Sequence, residues 1–228
     1  MQGKYMVIQL LLLQQFSQTP VKYQVDNNSR NNLTDRQLVN MVLSGDTNAF
    51  GIIIKKTEKL VAQIIFKMII NPEDRKDLAQ DIYLKVYKKL GTFQFQSKLS
   101  TWIAQAGYNT CIDHLRKKKL LFPDDINNEG TAGQSPLDNL SQAFSPENND
   151  SYAGINQKEL SKILQEETEK LSPLYKTLIG LYHQEELSYE EIGQITGLPG
   201  GTVKSYLFRA RRKLKETLLV TYKKEDLC

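Results

Sequence analysis

From Leu33 onward the apolar residues of this chain recur every three or four positions, the period of helices with one buried face. Leu38, Met41 and Val42 mark a first short helix, opened by a capping box of Thr34 with Gln37 and ended by Gly45. Asp46 can cap a second, in which Phe50, Ile53, Ile54, Thr57, Val61, Ile64, Ile65 and Met68 share a face. Asn71-Pro72 stops it and opens a third, whose Leu78, Ile82, Val86 and Leu90 are each four apart before Gly91 terminates the pattern. A loop, Thr92 to Gln96, leads to a fourth helix, expected to be capped by Ser97 and to end at about Lys118. Helix resumes near Lys158, with Leu160, Ile163, Leu164, Leu171, Leu178, Ile179 and Tyr182 as its packing surface and Ser172-Pro173 as an internal start. No period-two alternation marks a strand.

The last stretch is two short helices and a turn. Ser188 and Glu191 form a capping box, Gly197 supplies a left-handed turn residue, and Pro199 suits the start of the next helix. Val203, Leu207, Ala210 and Leu214 then share one buried face. Lys204, Ser205, Phe208, Arg211 and Arg212 are left on the others, the pattern of a helix-turn-helix with a DNA-reading helix. The fold class expected is all-α: two helical domains joined by a flexible acidic linker, the C-terminal domain a helix-turn-helix.

Charge sharpens this outline. Net charge over the 228 residues is only +4, yet Thr202 to Lys224 holds eight basic residues against one acid, Glu216. A solvated face mixes signs, whereas phosphate binding needs clustered cations. Phe122 to Gln157 is the opposite, with no Lys or Arg but six acids, and is too polar to bury a core. Domain limits follow: an extension at 1–32, a helical domain at 33–120, an anionic tether at 121–157 and the helix-turn-helix domain at 158–228. The extension contains an apolar run, Met6 to Leu13, far short of the ~20 residues that span a bilayer. A membrane-touching segment, a docking strand or an over-long start assignment would each account for it, and the last is preferred.

Candidate chemistry is sparse. Cys111 and Cys228, with His114 and His183, have neither metal spacing nor a disulfide framework, which fits a reducing cytoplasm. Asp74, Asp77 and Asp81 lie along one side of the third helix, with Lys85 placed to pair with Asp81. A solvated or protein-docking face suits them better than a metal. Phe93, Phe95, Trp102 and Tyr108 beside Arg116-Lys117-Lys118-Lys119 combine rings and cations, as single-stranded nucleic acid requires, although some of these rings would fill core. No nucleophile or metal cluster suggests an enzyme, and no cofactor or small-molecule substrate is implied.

The run Asp77 to Tyr87, then Ser100-Thr101-Trp102-Ile103 and Asn109 to Arg116, resembles region two of the bacterial sigma factors, and the tail resembles their region four. A chain with these two domains and a short linker is similar to the extracytoplasmic-function class, over Leu33 to Leu219. The resemblance implies a promoter-specificity subunit of core RNA polymerase, with promoter DNA as its second partner and an anti-sigma factor as a third. It implies polymerase docking by Asp77, Gln80, Asp81, Tyr83 and Leu84. It implies capture of the melted −10 strand by Phe93, Phe95, Ser97, Lys98, Thr101, Trp102, Gln105, Tyr108, Asn109 and Arg116. It implies reading of duplex −35 DNA by Gly201, Thr202, Lys204, Ser205, Tyr206, Phe208, Arg209, Arg211 and Arg212. The chain departs from the family pattern at Gln105-Ala106-Gly107-Tyr108, Gly200, Tyr206 and Phe208, so no promoter sequence carries over. A stand-alone helix-turn-helix regulator is the alternative; it would bind duplex DNA tightly without polymerase.

Overall fold

The computed structural model describes residues 33–118 and 157–221; the extension and most of the tether lie outside them. Among the described residues there are eight α-helices and no strand. The front half comprises α1 (Asp35–Leu43), α2 (Thr47–Met68), α3 (Pro72–Lys89), a 3-10 turn (Leu90–Thr92) and α4 (Leu99–Lys117). The rear half comprises α5 (Gln157–Glu169), α6 (Pro173–His183), α7 (Tyr189–Thr196) and α8 (Gly200–Thr221).

The boundaries follow local chemistry. Both capping boxes form, Thr34 with Gln37 and Ser188 with Glu191, each satisfying otherwise unpaired amides of a helix start. The Asp46 carboxylate accepts from Asn48 and Ala49 N–H, and the Asn71 side chain accepts from Glu73 N–H ahead of Pro72. Gly197 adopts φ 75°, which ends α7 and turns the chain into α8. The turn is tight: a Cβ on Gly193 would stand 2.7 Å from the Leu198 carbonyl oxygen.

The α2 apolar face lies at the centre of the front half. All eight residues expected on it are buried, as are Leu78, Ile82, Val86 and Leu90 of the next pattern. In α8, Val203, Leu207 and Ala210 are fully buried, and Leu214 packs against the core from its edge. Three details of this packing differ from expectation, ahead of those at the site. Leu164 is 40% exposed rather than packed. Lys85 donates to Thr110 Oγ1 at 3.2 Å rather than pairing with Asp81. Asp74 leaves the acidic row to pair with Lys118 at 2.6 Å, next to His114.

The two halves pack on each other, α6 against α2 and α7 against α4. Gly180 permits the first contact, since a Cβ there would meet Gln63 Nε2 at 2.8 Å; that amide donates to Gln184 Oε1 instead. Among the described residues, lysines of the front half meet glutamates of the rear in three pairs: Lys59 with Glu185, Lys67 with Glu169 and Lys98 with Glu191.

Candidate nucleic-acid interface

Phe93, at the end of the 3-10 turn, is buried with its ring centroid 5.3 Å from Trp102 and 4.7 Å from Phe95. Phe95 adopts φ 57°, a left-handed conformation a bulky residue keeps only when its surroundings impose it. The Arg36 guanidinium lies over its ring at 4.6 Å. Beside this aromatic cluster opens a pocket of about 350 Å³, lined by Thr92, Phe93, Gln94, Gln96, Ser97, Thr101, Trp102, Gln105 and, from α7, Gln194. Its lining combines two aromatic rings, four side-chain amides and three hydroxyls. An amide offers both donors and an acceptor, and a ring face offers stacking, the pair of features a nucleobase uses.

The sequence-predicted residues divide here. Phe93, Ser97, Thr101, Trp102 and Gln105 converge on the pocket, and Phe95 backs Phe93. Asn109 and Arg116 are exposed farther along α4. Tyr108 is corrected from a presented ring to a core residue: it is 7% exposed, and burial pushes its phenol up to about 12. Lys98 is already engaged by Glu191 at 2.8 Å, and that hydrogen bond raises the ammonium pKa while lowering that of the carboxyl. Ser97 does not cap α4. Its helix start takes a side-chain acceptor from another helix, Asp35 Oδ2, which accepts from Leu99 N–H at 2.9 Å.

On α8, Gly201, Lys204, Arg209, Arg211 and Arg212 are exposed, while Thr202, Ser205, Tyr206 and Phe208 are half-buried. Ser205 donates to the Gly201 carbonyl at 3.0 Å, and Tyr206 packs edge-on to Tyr175 with Arg209 above it. Arg212 is held by Glu216 at 2.7 Å. Arg211, though exposed, lies over the Tyr182 ring and 3.3 Å from His183 Nε2. Burial first, and then Arg211, lowers the His183 pKa, which keeps Nε2 available as an acceptor.

On α3, Asp77 and Asp81 are exposed, with Gln80 and Leu84 half-buried. Tyr83 is corrected: it is fully buried, with its hydroxyl 3.0 Å from Thr57 Oγ1, and burial raises its pKa. It faces the core because Ala79, Ile82, Tyr83 and Val86 form one helical face, all buried. Among the described residues no cluster of three His, Cys, Asp or Glu side chains could hold a metal ion, and no helix is long and apolar enough to cross a membrane.

Sequence reasoning named none of Asp35, Arg36, Thr92, Gln94, Gln96 and Gln194 as site residues, and gave Glu191 a capping role alone. The Asp35 contact spans 64 residues and that of Gln194 crosses between the two halves, so no local pattern announces either.

Comparison with known proteins places these surfaces in two matched segments. Residues 53–120 match the model described as Sigma-70 region 2, and residues 161–214 match Sigma-70, region 4. The chain is 32% identical to the ECF RNA polymerase sigma factor SigW of Bacillus subtilis, over 80% of its own length and 96% of that protein. It is 31% identical to the ECF RNA polymerase sigma-E factor of Escherichia coli strain K12, over 80% and 93%. It is 29% identical to the RNA polymerase sigma-H factor of Pseudomonas aeruginosa, over 81% and 93%. The fold is also similar to that of CnrH, solved in complex with the cytosolic domain of CnrY, at a TM-score of 0.54 and 21% identity, covering 82% of this chain and 98% of that one.

Proposed function

The chain belongs to the extracytoplasmic-function class of sigma-70 RNA polymerase sigma factors, and from that premise we propose how it directs promoter-specific transcription initiation. It acts in the cytoplasm without catalysis of its own, docked on core polymerase through the exposed acids Asp77 and Asp81 of α3. The aromatic pocket takes a base of the melted −10 strand, and α8 lies in the major groove of the −35 element. An anti-sigma factor is the regulatory partner that membership in this class implies.

The observation that carries this reading is the pocket between the Phe93–Trp102 pair and the amides of Gln94, Gln96 and Gln105. Extruding a base costs a few kcal/mol, which stacking at ~1–3 kcal/mol per base and edge hydrogen bonds offset. On α8, Lys204 is exposed and has no ion-pair partner among the described residues, which suits it to phosphate or base contact. Engaging both elements requires the halves to separate. Elements 25 base pairs apart at about 3.4 Å each are roughly 85 Å apart. With α7 resting on α4, no 22-residue α8, about 33 Å long, bridges that span.

The test is in vitro transcription from a genomic fragment library with purified core polymerase, comparing wild type, Trp102→Ala and Lys204→Ala. Loss of open complexes with retained duplex binding for the first, and loss of duplex binding for the second, would support the assignment. Unchanged start sites with and without the protein would sink it, and tight duplex binding by the protein alone would favour a stand-alone regulator.

A further inference from the structure

The residues that shape the pocket are not all in the segment that lines it. We propose that Asp35 and Arg36, in the first turn of α1, are positioning residues for strand capture; this rests on the pocket reading above.

The two side chains grip opposite ends of one short connection. Asp35 Oδ2 accepts from Leu99 N–H at 2.9 Å, the first amide of α4, whose own N-cap residue, Lys98, offers no side-chain acceptor. Arg36 covers the Phe95 ring at 4.6 Å, at the residue held in the left-handed conformation. Between these points the chain must deliver Gln96 and Ser97 to the pocket. Thr101, Trp102 and Gln105 lie in the first two turns of α4, so the direction of that helix start sets where they stand.

The grip comes from a fixed base. Leu38, Val39 and Val42 sink α1 into the core, Lys56 donates to the Leu33 carbonyl at 3.1 Å, and the Thr34–Gln37 capping box fixes the turn bearing both residues. Arg36 itself is exposed and Asp35 half-buried, so neither fills the core. A pocket that must hold a planar base between a ring and several amides loses selectivity when its walls shift by less than an ångström. Two contacts from a helix anchored by three buried residues supply that constraint from outside the lining. The contacting turn also lies ahead of residues 53–120, the segment matched to region 2.

The test uses holoenzyme assembled from the full chain and core polymerase. The probe is a fluorescent single-stranded deoxyoligonucleotide, drawn from the non-template strand of a promoter the wild-type holoenzyme transcribes. A parallel set carries single base replacements. Asp35→Ala should weaken probe binding about fivefold, the scale of losing one helix-start acceptor, and Arg36→Ala about two- to fivefold, the scale of losing one exposed cation–ring contact; both should flatten discrimination among the replaced bases. Core affinity should stay within about twofold of wild type. Asp35→Asn, which keeps an oxygen acceptor, should restore most of the discrimination. Base discrimination equal to wild type in both alanine variants overturns the proposal, even if their melting temperatures fall, because the residues would then serve folding alone. A wild-type holoenzyme that ignores the probe instead overturns the strand-capture reading beneath it.

Discussion

The hydroxyl of Tyr83 supplies a sharp test of which α3 residues serve folding and which face a partner. Thr57 donates its own proton to the Ile53 carbonyl at 2.8 Å, so the 3.0 Å contact between the two side chains has Tyr83 as donor and Thr57 as acceptor. Tyr83→Phe removes one neutral hydrogen bond while keeping the ring and its edge contact with Phe50 at 6.5 Å. The cost should be about 0.5–1.5 kcal/mol. Thr57→Val is close in shape but strands a buried phenol donor, and should cost more, about 1–3 kcal/mol. The double variant removes both polar groups and should regain stability, landing within about 1 kcal/mol of wild type. Urea titration followed by circular dichroism gives the three values, and fluorescence titration with core polymerase gives the affinities, which should not move. Strictly additive losses would refute the buried pairing. A Tyr83→Phe variant of unchanged stability but weaker core affinity would return the residue to the docking face.

Asp81→Lys should weaken association with core polymerase by tenfold or more while leaving the melting temperature within a degree or two, because the residue is exposed; unchanged core affinity would move the docking surface elsewhere. Gly193→Ala should destabilise the helix-turn-helix by more than about 1 kcal/mol, since its Cβ would meet the Leu198 carbonyl at 2.7 Å. Duplex binding should fall with it, read by thermal melting and by mobility shift of holoenzyme complexes. Cys111 is fully buried, and burial pushes its thiol up to about 12, so at pH 8 it should resist a maleimide until denaturant is added. Peptide mapping that finds it labelled in native buffer would contradict the packing of α4.

The parts of this protein written in short range were legible in advance. The face Phe50 to Met68 and the two capping boxes depend on neighbours three or four residues apart, and the structure carries them as the spacing implied. The turn at Gly197 needed only a residue that tolerates positive φ. What failed was written at long range. The serine beside α4 looked like its cap, but the approach of α1 delivered a stronger acceptor. The Asp81–Lys85 spacing allowed an ion pair, but Thr110 on the neighbouring helix took the lysine. Tyr83 was legible in principle, since its helical face is apolar; family likeness drew it outward against that pattern. The lining of the pocket was half legible. Its aromatic side, Phe93 and Trp102, was among the rings named beside the cationic run, whereas Gln194 enters only once the halves dock.

That docking has an electrolyte signature. In the three ion pairs that cross the seam among the described residues, the cation belongs to the front half and the anion to the rear. Added salt therefore acts twice and in opposite senses: it loosens the seam that covers the pocket, and it screens the attraction between cations and DNA phosphates. For the isolated protein, nucleic-acid occupancy should rise and then fall as ionic strength climbs, where an ordinary basic binder only falls.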